Sequence, residues 1–298
     1  MYTAFGTIVT AVITPFAADG SVDHDELRRI LRHLEQTGSD GVVVAGTTGE
    51  SPTLSDDEKV ACFRTAVEEV GGRMAVLAGT GTNDTAHSVE LTRRAVEAGV
   101  DGLLVVTPYY NRPPREGLIR HFTAVARAAG DTPVMLYNVP SRVVTVLEPD
   151  LIAELARIPN VVALKQAHPD LHDLKELRAL APDLAVYAGD DTSLLPMLPY
   201  GVLGVVSVAS HVVGERMKQV VQLHREGREA EAHELGTRLE DVYETLGITT
   251  NPIPVRAAMS LLGFEVGAPR LPLVEATGLQ RERIRAMLER IDLVTSHV

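Results

Sequence analysis

The stretch Val161-Val162-Ala163-Leu164-Lys165-Gln166-Ala167 decides how this chain is read. Four apolar residues, a lysine and a short polar turn describe a buried strand that ends in a charge. Lysine is seldom fully buried, because its ammonium loses hydration on leaving water. At the end of an apolar strand it either reaches out to solvent or is kept there for its amine. Desolvation lowers a lysine's pKa, and the neutral amine can then form a Schiff base with a carbonyl compound. The strand alone favours the reach to solvent. The rest of the chain has to decide.

Apolar runs of the same kind recur at 8–13, 41–45, 74–78, 102–106, 133–137, 184–188 and 204–208, in addition to 161–165. None alternates apolar with polar residues, so the strands should be covered on both faces, as parallel strands are. Helical patterns separate them. Ser55-Asp56-Asp57-Glu58 reads as a capping box opening a helix that stops at Gly71-Gly72. Asp84 or Thr85 starts another that ends at Gly99, and 116–129 closes at Gly130. Glu148-Pro149-Asp150 opens a further helix with proline in its first turn, and 171–180 is stopped by Ala181-Pro182. Eight strand–helix units predict an α/β fold, a (β/α)8 TIM barrel, over residues 1–225. A doubly wound open sheet fits less well, since no glycine-rich dinucleotide fingerprint follows any strand. Residues 226–298 predict a C-terminal helical appendage, with helices over 229–246, 254–262 and 279–294 packed on the barrel.

The chain has 298 residues, 45% of them hydrophobic, and a net charge of −12. That acidity, with a pI near 5.3, argues against nucleic acid or an anionic membrane surface as partner. The single cysteine, Cys62, fits a reducing cytoplasm and sits in a helical pattern as a packed thiol. Met1-Tyr2-Thr3-Ala4-Phe5 lacks the pattern of a signal peptide, and no apolar run is long enough to span a bilayer. A cytoplasmic protein is expected.

In a barrel of this kind the working residues follow the strand ends. Gly46-Thr47-Thr48-Gly49-Glu50-Ser51, after the second strand, can turn backbone N–H groups towards a carboxylate; an ordinary glycine turn is the plainer alternative. Thr107-Pro108-Tyr109-Tyr110-Asn111-Arg112, after the fourth, offers a phenol to a site or to a subunit interface. Tyr137-Asn138-Val139-Pro140-Ser141-Arg142 brings another phenol, suited to proton transfer, and a planar guanidinium suited to a carboxylate. Gly189-Asp190-Asp191 ends the seventh strand. By strand alternation Lys165 should share a face with Ala163 and Val161. If that face is the interior, its amine lies among Thr47, Thr48, Tyr137 and Arg142, a set suited to a small keto acid. His168 and His172 have the spacing of a metal pair but no third ligand, so no metal site is expected.

Gly46-Thr47-Thr48-Gly49-Glu50, Pro108-Tyr109-Tyr110-Asn111-Arg112-Pro113, Tyr137-Asn138-Val139-Pro140, Lys165, Gly189-Asp190-Asp191 and Asn251-Pro252-Ile253-Pro254 resemble the dihydrodipicolinate synthase family, in order and along the whole chain. The resemblance implies a Schiff-base lyase, usually a homotetramer built as a dimer of dimers, that needs no cofactor. It implies that Lys165 condenses with pyruvate, that Thr47 and Thr48 N–H groups hold the pyruvate carboxylate, and that Tyr137, Thr47 and Tyr110 relay protons, Tyr110 coming from a neighbouring subunit. Arg142 would bind L-aspartate 4-semialdehyde, and Gly189 and Val206 would shape the pocket. A nearby alternative is another pyruvate aldolase, acting on N-acetylneuraminate or a 2-keto-3-deoxy sugar acid; a more distant one is a non-catalytic pyruvate-binding protein. The sequence departs from the family's pattern at Gln166, where an acid is usual, and at Val143-Val144, where smaller residues are usual; both are expected near the second-substrate pocket. Asn83 and Tyr109 match the family's lysine feedback site, but His87 stands where an acid is expected and Asp56 where a histidine is. Weak or absent inhibition by lysine is the expectation.

Overall fold

A computed structural model describes residues 5–168 and 170–294. Eight parallel strands close on themselves in chain order: β1 (Ile8–Ala11), β2 (Gly41–Val44), β3 (Ala75–Gly79), β4 (Gly102–Val106), β5 (Val134–Asn138), β6 (Val161–Gln166), β7 (Ala185–Ala188) and β8 (Gly204–Ser207), with β8 paired back to β1. Each lies within a residue or two of its predicted run. The barrel expectation is met.

The helices follow the chain as α1 (His24–Gln36), α2 (Asp56–Val70), α3 (Thr85–Glu97), α4 (Arg115–Ala128), α5 (Pro140–Val143), α6 (Pro149–Leu155), α7 (Leu171–Leu180), α8 (Leu194–Met197), α9 (Ser210–Arg225), α10 (Glu229–Arg238), α11 (Glu240–Leu246), α12 (Ile253–Leu261) and α13 (Gly278–Arg290). The local signals explain their starts. Ser55 accepts from the Glu58 N–H while the Glu58 carboxylate accepts from the Ser55 N–H, the capping box read from the sequence. Asp84 caps α3 through the N–H groups of Ala86 and His87. Two expectations change: the last helix ends at Arg290 rather than 294, and 229–246 is two helices rather than one. Leu239 separates α10 from α11, and its N–H bonds the carbonyl of Gly236, three residues back, which tightens the turn.

Two apolar layers hold the fold. Inside the barrel, Phe5, Val9, Val43, Leu77, Leu104, Met135, Ala163, Tyr187 and Val206 pack against one another. Outside, the second cluster joins the strands' outer faces to the helices, and it includes Val255, Met259, Ile284 and Leu288 of the C-terminal helices. No helix among the described residues is long and apolar enough to cross a membrane.

Behind the β8–α9 corner, His211 is buried and locked in one neutral form. Its Nε2 accepts from the Ile13 N–H at 3.3 Å while Nδ1 donates to the Val208 carbonyl at 2.8 Å. Burial pushes its pKa down to about 4, from an ordinary 6.5. An unfolded chain binds that proton first as the pH falls, so the stabilisation is complete above pH 6.5 and is lost towards pH 4. A shift of this size is worth on the order of 3 kcal/mol. We therefore expect the urea midpoint to fall between pH 6.5 and 4, and to fall less steeply in His211→Gln. Equal slopes would show that the imidazole carries none of the linkage.

Candidate active site

Closed pairing dictates which side chains face inward. Lys165 stands opposite Tyr137 on β5 and Tyr187 on β7. It is 5% exposed, and its Nζ lies 4.3 Å from the centroid of the Tyr137 ring. The ring's negative face offsets part of what the ammonium loses in hydration. Lys165 thus points into the barrel rather than out to solvent. Ala163 shares its inner face, but Val161 does not. The β5–β6 register shifts between Val134 and Met135, so Val161 joins the outer cluster and Val162 packs against the inner one. A bulge of this kind reverses the faces of the residues before it.

Tyr137, against which Lys165 lies, also lines a cavity of about 500 Å³, whose wall contains Gly46, Thr47, Val139, Arg142 and Val143. Thr47, Tyr137 and Arg142 are therefore brought together at one mouth. Thr48 is buried, and its hydroxyl accepts from the Asn251 amide at 3.0 Å instead of facing the cavity. Val206 is buried in the inner cluster, level with Val9 of β1. Gly189 packs on the end of β6: its N–H bonds the Gln166 carbonyl at 2.8 Å, and a Cβ there would lie 2.6 Å from the Ala167 nitrogen. Only glycine fits such an approach. Tyr110 is 87% exposed with φ +72°, so on this chain it stands outside the cavity.

Two residues carried less signal in the sequence. Asp190, just after β7, has neighbouring protein that raises its carboxyl pKa, and the charges of Lys165 and Arg142 oppose the rise. Asp191 accepts from the Ser207 hydroxyl at 2.5 Å and from the N–H groups of Val208 and Ala209, tying the end of β7 to that of β8. Both follow a strand end, where the sequence located them without assigning them a role. The cavity's outer arm holds Asp56, Lys59, Asn83, His87 and Tyr109. There Asp56 bonds the His87 ring at 2.7 Å and pairs with buried Lys59 at 3.3 Å. His168 meets Asp170 and Asp173 at the start of α7, not His172, and Asp170 is already the helix cap.

The arrangement is a buried amine against a phenol that shares a cavity with a hydroxyl and a guanidinium. It suits a keto acid that forms an imine and then exchanges a proton. Residues 4–291 match the model of the Dihydrodipicolinate synthetase family. The chain belongs to that family. It is 48% identical over 293 residues to the 4-hydroxy-tetrahydrodipicolinate synthase of Synechococcus elongatus, covering 98% of both chains. The enzyme of that name from Symbiobacterium thermophilum is 49% identical over 286 residues, covering 95% of this chain and 97% of its own. Among solved structures, dihydrodipicolinate synthase from Cyanidioschyzon merolae with lysine bound is 40% identical with a TM-score of 0.96, covering 98% of this chain and 100% of that one. The Bacillus anthracis enzyme is 41% identical with a TM-score of 0.93, covering 97% and 99%.

Against this family the departure at Gln166 takes a different meaning from the one expected. Its side chain points outward, opposite to Lys165, and its Oε1 accepts from the Asn138 amide at 2.9 Å. Asn138 in turn bonds both the N–H and the carbonyl of Leu147. Gln166 therefore secures the β5 and β6 ends and lies away from the substrate mouth. Of the other pair, Val143 lines the cavity, whereas Val144 is exposed with φ +54°. Gln166→Glu is expected to change the KM of either substrate by less than about threefold. A larger change confined to the second substrate would put residue 166 back at the mouth.

Proposed function

We propose that Lys165 is the covalent centre of a lyase that condenses pyruvate with L-aspartate 4-semialdehyde to 4-hydroxy-tetrahydrodipicolinate, in lysine and diaminopimelate biosynthesis. The observation that carries this reading is the amine of Lys165 held inside the barrel against Tyr137, a residue that shares a cavity with Thr47 and Arg142.

The Lys165 amine, once it has given up its proton, attacks the pyruvate ketone and water leaves, giving an iminium. The iminium draws electrons from the adjacent methyl group, which gives up a proton and becomes an enamine. Tyr137, Thr47 and Tyr110 pass that proton, with Tyr110 supplied by a neighbouring copy in a homotetramer. N–H groups of the Thr47–Thr48 turn hold the pyruvate carboxylate, and Arg142 takes the carboxylate of the semialdehyde. The enamine carbon attacks the aldehyde, and the substrate amine then closes the ring and displaces Lys165. In this reading Gly189 and Val206 shape the pocket. No metal or external cofactor is required. We read residues 1–225 as the catalytic unit and 226–298 as its helical support, and a cytoplasmic enzyme fits this reading. A sugar-acid aldolase is disfavoured by Val139 and Val143 in the wall beside Arg142, which offer a polyol no side-chain hydrogen bonds.

Incubation with pyruvate and borohydride should add mass at Lys165, and the protein should turn over aspartate semialdehyde. An adduct without that turnover points to another aldolase; no adduct removes the mechanism. Tyr137→Phe should lower kcat by about 100-fold or more and move the pyruvate KM far less. Equal losses would contradict the relay.

The outer arm supports insensitivity to lysine. An incoming ammonium would meet the Lys59 cation and a His87 already bonded to Asp56, with that one carboxylate shared between them. Turnover should be unaffected by roughly 1 mM lysine, an affinity of about 4 kcal/mol. Inhibition well below that concentration would overturn this reading.

A further inference from the structure

The Gly46–Ser51 turn is held from outside the barrel. Ala45 and Glu50, at its two ends, take left-handed φ values of +52° and +57°, which non-glycine residues adopt only when surrounding structure imposes them. Inside the turn, the Glu50 N–H bonds the Thr47 carbonyl and the Ser51 N–H bonds the Gly46 carbonyl. The outer restraints come from far along the chain. Asn251 donates to the Thr48 hydroxyl at 3.0 Å. The Glu50 carboxylate is fully buried, with Arg256 Nη1 2.9 Å from its Oε1 and the Arg270 N–H donating to its Oε2 at 3.0 Å. Arg256 is itself fixed, donating to the carbonyls of Thr14, Val266 and Gly267. Thr14 closes the circle by donating its hydroxyl to the Gly49 carbonyl at 2.7 Å.

We propose that Asn251 and Arg256 are positioning residues for the keto-acid carboxylate, setting the direction of the Thr47 and Thr48 N–H groups from the C-terminal helical region. The proposal rests on the reading of that turn as the carboxylate's holder. Backbone donors recognise an anion only when they converge, and a turn with strained ends relaxes once its outer restraints are removed. Neither residue touches substrate; each acts through the turn. The buried Glu50–Arg256 pair fits such a task, because removing one partner leaves the other charge buried and unpaired.

The test compares wild type with Asn251→Ala, Arg256→Met and Arg256→Lys. Asn251→Ala deletes a single hydrogen bond at a partly exposed residue and is expected to fold even where Arg256→Met does not. The pyruvate KM should rise about tenfold in Asn251→Ala, the factor of one hydrogen bond. The aldehyde KM should stay within about twofold. Arg256→Lys, which keeps the charge, should recover part of any loss in Arg256→Met. Borohydride trapping is run in parallel with pyruvate and with its neutral analogue pyruvamide. Wild type should trap pyruvate at lower concentration, and the variants should narrow that difference. A wild type that traps both equally overturns the turn's carboxylate role and the proposal with it. A wild type that discriminates, with variants that discriminate just as well, overturns the proposal alone. So does an equal rise in both KM values, which marks general loosening rather than positioning.

Discussion

A parallel sheet closed on itself leaves each strand residue only two directions, and this constraint governs the site. Closure leaves no free edge along which a strand could slip, and a slip of one residue would exchange the inner and outer faces. In β6 the register sends Lys165 inward and Gln166 outward. The same pairing sets Tyr137 directly across from the lysine, so the phenol and the amine meet without any loop having to find its place. The shift at Val134 and Met135 lies below this level and leaves it in step.

Much of this was legible because its causes are local. Unbroken apolar runs mark strands covered on both faces, and Ser55, Asp84, Pro149 and Ala181-Pro182 bound helices by groups within one turn of each end. The residues brought to the cavity mouth, Thr47, Tyr137 and Arg142, were visible as strand-end residues for the same reason. What stayed hidden depends on distance. The bulge that turns Val161 outward has no signature in Val161-Val162-Ala163. Gln166 reads as a site residue from its place beside Lys165, and only its bond to Asn138 reveals a structural task. Thr48 reads as a cavity residue until Asn251, 203 positions later, claims its hydroxyl.

The C-terminal helices therefore do more than cover the barrel. Val255, Met259, Ile284 and Leu288 bury apolar area against it, a force without direction. Asn251, Arg256 and Arg270 add directed contacts to one turn of one loop. The buried Glu50–Arg256 pair as a whole could have been replaced by apolar residues at little cost to stability, since buried ion pairs seldom outperform good packing. Fixing a conformation is the attested use of such pairs, and here the fixed element is the turn at the cavity mouth.

Charge at the mouth is likewise a local matter. The chain carries −12 overall, yet both proposed substrates present carboxylates. Distant surface charges are screened over roughly 10 Å at moderate salt, whereas groups at a partly closed mouth are not. Near them stand Lys165 and Arg142, with Asp190 as the near acid, whose carboxyl is raised on balance while both cations oppose the rise. The outer arm balances differently, because Asp56 is shared by Lys59 and His87 and leaves little free negative charge. A single cavity thus has an inner end arranged for carboxylates and an outer arm ill suited to a second ammonium. The two ends differ by a few side chains, while the barrel that carries them is the same.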